Sequence, residues 1–485
     1  MTAEAETSTG MPGPYLIVLA TSFGVFLSAL DSSIVNVSLV TMAADLGVDM
    51  SIIQWVVVAY LLVMTSAMPL MGKFGDRYGK TRIFQIGMVL FISGSLVCAL
   101  SRGIEMLMAS RVFQAIGASM MSANGLALVT YFTSDENRGR AIGMNSIVLA
   151  AALGLGPVLG GLLTQFYGWP SIFLVNLPIG ILGLLVLWRL VPRTEVVEET
   201  KFDTIGAALF FTFLFLIVYY VTVAIDSNLT ISLILITGTI VTFIAFIIRE
   251  RDFVSPIISL EVLADRRIST GIFSAILAYM AMVPVSFLMP FYLQRALGFD
   301  QFSTGIFLVV QPLMISVTGP VAGFVSERMR ARYQTVVGLM VQLGGLLVIA
   351  ASVPNVPAMA IGVAVMGTGL SFFSVGNGNF IMTCAPKKYM GVISALTNVA
   401  RTTGFSVATA LVTTVFGLFF ASFNPGGAES GPAYVLAYSL GVQATIWAFC
   451  ILALLGAIVS AFRGMSPPEE ARCEEEQEGI PLSFG

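Results

Sequence analysis

Long apolar runs separated by short polar stretches follow one another along almost the whole chain. Fourteen runs stand out, near residues 14–40, 52–72, 83–101, 104–130, 139–165, 170–191, 203–225, 229–249, 268–294, 302–325, 333–352, 356–382, 388–420 and 434–462. A helix needs about 20 apolar residues to cross a bilayer, whereas a barrel strand needs only about 10. Within lipid every backbone donor and acceptor must be satisfied inside the protein. The pattern therefore predicts fourteen transmembrane helices, several long enough to tilt or protrude.

Charge placement tests that count. If both ends are cytoplasmic, 20 of the 24 Lys and Arg fall in inner segments. Only Arg102 and Arg295 fall in outer loops, while Arg111 and Arg401 lie inside spans. Basic residues favour the cytoplasmic side, and one missed helix would invert every later loop. Composition agrees, with 57% hydrophobic and only 11% charged residues. A soluble domain carries about 25% charged residues. The chain has no histidine, which excludes His-based catalysis, His metal sites and His proton relays. Its four cysteines form neither a disulfide framework nor a metal-ligand spacing. Residues 1–13 lack a basic flank and do not read as a cleaved signal peptide.

The chain also repeats itself. Pro69-Leu-Met-Gly72 is followed four residues later by Asp76-Arg77, and Pro320-Val-Ala-Gly323 by Glu327-Arg328. The offset is 251 throughout. Gly154 and Gly404 sit in matching small-residue runs at an offset of 250. This spacing pairs the second span with the tenth if residues 203–249 are an inserted helix pair. Duplicated halves with a site at their interface are a transporter architecture. The expected organisation is a tail (1–13), a six-helix bundle (14–191), a linker with two inserted helices (192–250), a second six-helix bundle (251–462) and a tail (463–485).

Four motifs give the pattern a family resemblance. Gly72-Lys-Phe-Gly-Asp76-Arg77-Tyr-Gly79-Lys80 resembles the loop signature of the major facilitator superfamily. Arg111-Val-Phe-Gln114-Ala-Ile-Gly117 is similar to its second motif. Gly156-Pro157-Val-Leu-Gly160-Gly161 resembles its antiporter motif, although Ala152 stands where that motif usually has another glycine. Leu30-Asp31-Ser-Ser-Ile-Val35-Asn36-Val37 resembles the signature of its fourteen-span drug:proton antiporters. The resemblance implies two six-helix bundles plus two extra central helices, in a multi-pass plasma-membrane protein with both termini inside. It also implies proton-coupled efflux of drugs or amphipathic compounds by a monomer, among membrane lipids, without cofactor, metal or nucleic acid.

Asp31 is the one acid placed deep within an expected span. An ionised carboxylate there is costly unless paired, so it is suited to gain and lose a proton. Arg111 lies at a similar expected depth and could hold Asp31 ionised. The plainer alternative is a permanent ion pair that only locks two helices together. Arg401 could face a cavity and bind an anionic or hydrogen-bonding substrate, or support a helix contact, or snorkel to the rim. The family resemblance implies that Asp76 approaches a helix N-terminus in the second half, where the dipole favours an anion. Gly72 would permit that approach, with Arg77 beside it. Gly156, Pro157, Gly160 and Gly161 form a packing seam that suits a rocking interface. Among the polar residues within spans, Asn36, Gln114 and Asn145 are the candidates to line a cavity. Gly75-x-x-x-Gly79-Lys80-Thr81 is one residue short of a nucleotide-binding loop, so an ion gradient is the expected energy source. One deep acid against two deep arginines argues against a strict preference for dications. A dedicated exporter of one metabolite, antibiotic, siderophore or lipid-like compound fits the same sequence. An enzyme or a sensor fits less well, because catalytic motifs and an output domain are both missing from the pattern.

Overall fold

A computed structural model describes residues 14–133, 135–192, 203–223, 228–253, 264–326, 328–384, 390–427 and 429–464. These residues are helical almost throughout, with no strand among them. The first six long helices are α1 (Pro14–Leu46), α2 (Trp55–Tyr78, preceded by a turn of helix at Met50–Ile53), α3 (Lys80–Ala99), α4 (Ile104–Phe132), α5 (Asp135–Tyr167) and α6 (Asn176–Leu190, preceded by Ser171–Leu174). Next come α7 (Thr204–Val223) and α8 (Leu229–Asp252). The last six are α9 (Arg266–Val283 and its continuation), α10 (Gln301–Ser326), α11 (Ala331–Ser352), α12 (Val356–Cys384), α13 (Met390–Phe423) and α14 (Gly431–Ala461).

Thirteen helices contain stretches long and apolar enough to cross a membrane, and α5 adds a shorter apolar stretch at Ala151–Tyr167. This agrees with the fourteen spans expected from hydropathy. Two boundaries differ in an instructive way. The first span continues six residues past the expected end, to Leu46, because Thr41–Leu46 is polar at few positions and nothing there breaks a helix. The ninth is not one uniform helix. Pro284 and Pro290 each lack a backbone N–H, and the chain widens into π-helical turns at Pro284–Leu288 and Tyr292–Ala296 around Met289–Phe291. The α2–α3 junction turns at Gly79, whose φ of 93° a side chain would oppose.

Helix contacts follow the repeat. In the first half α1 packs on α5, α3 on α4, and α2 on α4. In the second half α9 packs on α13, α11 on α12, and α10 on α12. The halves meet along two seams, α5 with α10 and α2 with α13. These seams are images of each other under the repeat. The pair α7–α8 lies over the α2–α13 seam, with α7 touching both. Val58 and Leu62 of α2, Phe210 and Leu214 of α7, and Leu396 and Val399 of α13 share one buried apolar cluster there. Helix α8 is otherwise largely exposed, as a lipid-facing helix must be.

The odd-to-even connections carry few bases and the even-to-odd connections many, so each helix has a base-poor and a base-rich end. The α5–α10 seam is tight at the base-poor end. A Cβ on Gly161 would lie 2.3 Å from the Gln301 carbonyl oxygen, and one on Gly305 would lie 2.2 Å from that of Pro157. Hydrogen bonds tie the halves at the same end. Gln294 Nε2 donates to the Val37 carbonyl (2.9 Å), Gln301 Nε2 to Thr41 Oγ1 (3.2 Å), and the Phe302 amide to Gln165 Oε1 (3.2 Å). Gly305→Leu is expected to wedge this end open, because backbone on α5 fills the space a side chain needs. Thiol labelling at a Thr41→Cys probe, in a background free of other cysteines, should rise severalfold in the Gly305→Leu chain. Equal labelling in both chains would contradict the tight seam.

Candidate functional site

Asp31 is fully buried, as are Arg111 and Gln114. It stands about 15 residues from the α1 terminus at Leu46, or roughly 22 Å along the axis. That is deeper than the earlier helix boundary implied. Arg111 Nη1 donates to Asp31 Oδ2 at 2.6 Å and to Gln114 Oε1 at 2.7 Å. Arg111 Nε donates to the Val56 carbonyl at 3.1 Å, and the guanidinium carbon lies 4.0 Å from the Tyr60 ring centroid. The other carboxylate oxygen, Oδ1, accepts from Gln114 Nε2 (2.9 Å) and Asn176 Nδ2 (3.1 Å). Both amides also donate to Ser95 Oγ, at 2.8 and 3.3 Å. Five helices thus meet in one polar cluster around Asp31: α1, α2, α3, α4 and α6.

The local sequence explains this convergence. Arg111 and Gln114 are three apart on α4 and share one helix face. Gly94 lets α3 approach α4 closely, since a Cβ there would lie 2.8 Å from Gln114 Cα, and Ser95 follows it. Asn176 opens α6 and its amide reaches both Asp31 and Ser95. In a dry interior, charges and amides must satisfy one another. Asp31 has donors on both oxygens, and Arg111 keeps acceptors besides Asp31. The guanidinium therefore has somewhere to rest whether or not Asp31 is charged.

The remaining sequence candidates are spread out. Asn36 lies five residues beyond Asp31 on α1, with a buried Oδ1 that has no hydrogen-bond partner. It does not join the Asp31 cluster. The side chain of Asn145 lies outside the described residues. Arg401, on α13, donates to Asn398 Oδ1 at 3.3 Å and is partly exposed. Asp76, near the end of α2, pairs with Lys80 at the start of α3 across the turn at Gly79, and Arg77 lies against the Tyr78 ring. Gly72 makes only ordinary contact with Ala123, at 3.9 Å. The close approach in that loop falls at Gly75, where a Cβ would overlap Asn124. Gly156 and Gly160 press on Ser33 and Ile34 of α1, whereas Gly161 and Pro157 face α10.

Several groups escaped the sequence reading. Asn176 and Ser95 complete the shell of Asp31. An asparagine inside the sixth apolar run was a visible signal for the first, but a lone serine carries none. Asp203 and Glu250 are buried at the base-rich end of the inserted pair. Arg249 Nε donates to both Asp203 oxygens, at 3.1 and 3.2 Å, and Asp203 also accepts from the Gly206 amide at 2.9 Å. The sequence reading assigned these acids no role; they lie at helix ends.

A family model described as Major Facilitator Superfamily matches residues 21–409. The chain belongs to the major facilitator superfamily. The riboflavin transporter RibZ of Clostridioides difficile is 31% identical over 459 residues, which cover 93% of this chain and 98% of RibZ. The methylenomycin A resistance protein of Bacillus subtilis is 28% identical over 455 residues, covering 92% and 96%. A solved bacterial homologue of the human lysosomal transporter Spinster, in an inward-facing and unoccupied conformation, aligns with a TM-score of 0.68. It is 15% identical and is covered over 97% of its length, against 93% of this chain, so it speaks for the fold alone. As a major facilitator protein, the chain is a membrane transporter of small molecules and not an enzyme.

Breaking one side of a buried ion pair costs about 3–5 kcal/mol. Arg111→Gln should therefore lower the thermal unfolding midpoint of the purified protein markedly. Adding Asp31→Asn to that variant should recover a large part of the loss, because the stranded charge is gone. Purely additive losses in the double-mutant cycle would show that the two side chains do not depend on each other.

Proposed function

We propose that this transporter exports drugs or other amphipathic small molecules in exchange for protons, by alternating access of two six-helix bundles. The observation that carries this reading is the buried Asp31 with its full set of donors. A carboxylate deep in a span is a functional group by default. Loss of its charge removes the ion pair with Arg111, while Val56, Gln114 and Tyr60 continue to hold the guanidinium. Proton binding would thus loosen α1 from α4 without leaving a naked cation.

Helix α1 supplies the link to the moving parts. Val37 and Thr41, two to three turns beyond Asp31, accept the hydrogen bonds from Gln294 and Gln301 of the second half. Ser33 and Ile34 press on Gly156 and Gly160 of α5. A change in how Asp31 is held is therefore felt at the contact of α1 with the second half and at its packing on α5. In this account the base-rich end is cytoplasmic, both termini lie inside, and the bundles are residues 14–191 and 251–462 with the inserted pair between them. Asp76, Arg77 and Gly72 would bias the two conformations from the cytoplasmic side, and Gly156, Pro157, Gly160 and Gly161 would form the sliding face. Asn36, Gln114 and Asn145 are assigned to the polar lining of the path. The protein would act as a monomer in the plasma membrane.

A dedicated exporter is the second reading. It is favoured by relatives whose names specify single compounds, riboflavin and methylenomycin A. Resistance profiling of cells expressing the chain separates the two, because a broad pump protects against several unrelated compounds.

Reconstituted protein under an imposed pH gradient tests the coupling. Gradient-driven efflux should fall about tenfold or more in Asp31→Asn. Downhill substrate exchange, which needs no net proton movement, should survive. Gradient-driven efflux equal to wild type would remove Asp31 as the proton carrier.

A further inference from the structure

The Asp31–Arg111 pair is neutral as a unit, which leaves Arg401 as the second cation deep in a span. Arg401 stands about five residues inside the apolar stretch of α13 that begins at Leu396, or roughly 8 Å along the axis. Among the described residues no carboxylate forms a salt bridge with it, and its hydrogen bond is to Asn398. A guanidinium held at such depth by a single neutral amide is expensive unless water or a ligand supplies the missing negative charge.

The surroundings suggest which ligand. Asn398, Arg401 and Phe405 are spaced i, i+3 and i+7, so they form one stripe along α13. Phe405 packs with Tyr279 of α9, with ring centroids 6.0 Å apart and planes inclined by 32°. Tyr279 also lies within electrostatic reach of Arg401. Helices α9 and α13 approach closely here, since a Cβ on Gly404 would lie 2.9 Å from the Ile276 carbonyl oxygen. That approach fixes Tyr279 beside the turn that carries Arg401. All four side chains keep part of their surface open although they lie far from both helix ends.

A planar fork of N–H donors matches a carboxylate, phenolate or enolate edge. A tilted aromatic pair beside it offers a flat apolar surface to a ring system. We propose that Arg401, Asn398, Tyr279 and Phe405 form a substrate subsite for planar aromatic compounds that carry an anionic oxygen edge. The subsite selects against aromatic cations, because Arg401 repels them. This assignment rests on the transporter reading above but not on its proton coupling.

The test uses the full chain in lipid nanodiscs at neutral pH with no gradient. Fluorescein, a planar aromatic anion, and rhodamine 6G, a planar aromatic cation, are titrated separately and followed by fluorescence anisotropy against empty nanodiscs. Wild type should bind fluorescein at least about tenfold more tightly than rhodamine 6G. Arg401→Gln should weaken fluorescein binding by about tenfold or more and leave rhodamine 6G unchanged or tighter. Arg401→Lys, which keeps the charge but not the fork, should lose less. Phe405→Leu should weaken fluorescein without reversing the preference. Absence of fluorescein binding by wild type, or an Arg401→Gln chain that binds it equally well, overturns the subsite. Either result leaves gradient-driven efflux untouched, and a failure of Asp31→Asn to affect efflux leaves the subsite untouched.

Discussion

A carboxylate and a guanidinium withdrawn together from water set the terms for the first half of this protein. Neither Asp31 nor Arg111 could be buried alone, because an unpaired charge in a medium without water is severely penalised. Their pairing at 2.6 Å satisfies only part of each group. The rest is met by Gln114, Asn176 and the Val56 carbonyl, with Ser95 accepting from the two amides, and each of these groups arrives on a different turn or helix. The order of helices in the bundle is thus partly dictated by one charge pair. The same pair is a weak source of net stability, since desolvation offsets most of its attraction. A costly and fully supported charge is better explained by what it does than by what it holds together.

The second constraint is close packing without a hydrophobic driving force. Lipid tails are as apolar as leucine, so helices associate through shape and through small residues. The α5–α10 seam depends on Gly161 and Gly305, each facing backbone of the other helix. Its repeat image, the α2–α13 seam, is instead filled from outside by α7. The two seams are related by duplication yet stabilised differently. The inserted pair adds its own ion pair, buried Asp203 with partly exposed Arg249, at the base-rich end. It is therefore a clamp laid across one seam, whereas the other seam stays a direct contact between halves.

Much of this was legible in the sequence, and what was not has physical causes. Fourteen apolar runs and the skew of the bases gave the helices, because the bilayer imposes both length and charge asymmetry. Asp31 and Arg111 were visible because charges inside apolar runs are rare. Gln114 was visible as a polar residue within a span, expected to line a cavity, and it is instead fully buried against Asp31. Asn176 stood out only as an asparagine within an apolar run and Ser95 not at all, since nothing in a string of letters tells which turns of α3 and α6 face α1. The π-helical turns around Pro284 and Pro290 were hidden too, because hydropathy does not register a missing N–H. Asp203 and Glu250 drew no reading, as acids at helix ends are usually solvated. Asp76 was expected near a helix N-terminus of the second half, and here it is paired with Lys80.

The account stands or falls on whether the carboxyl of Asp31 exchanges a proton when cargo binds. The most direct measurement is proton release from the solubilised protein in weakly buffered solution on addition of a transported compound. Wild type should release protons on binding, in proportion to the protein present, and the Asp31→Asn chain should bind the compound and release none. Equal release from both chains, or binding without release by wild type across the pH range where it transports, would contradict the account.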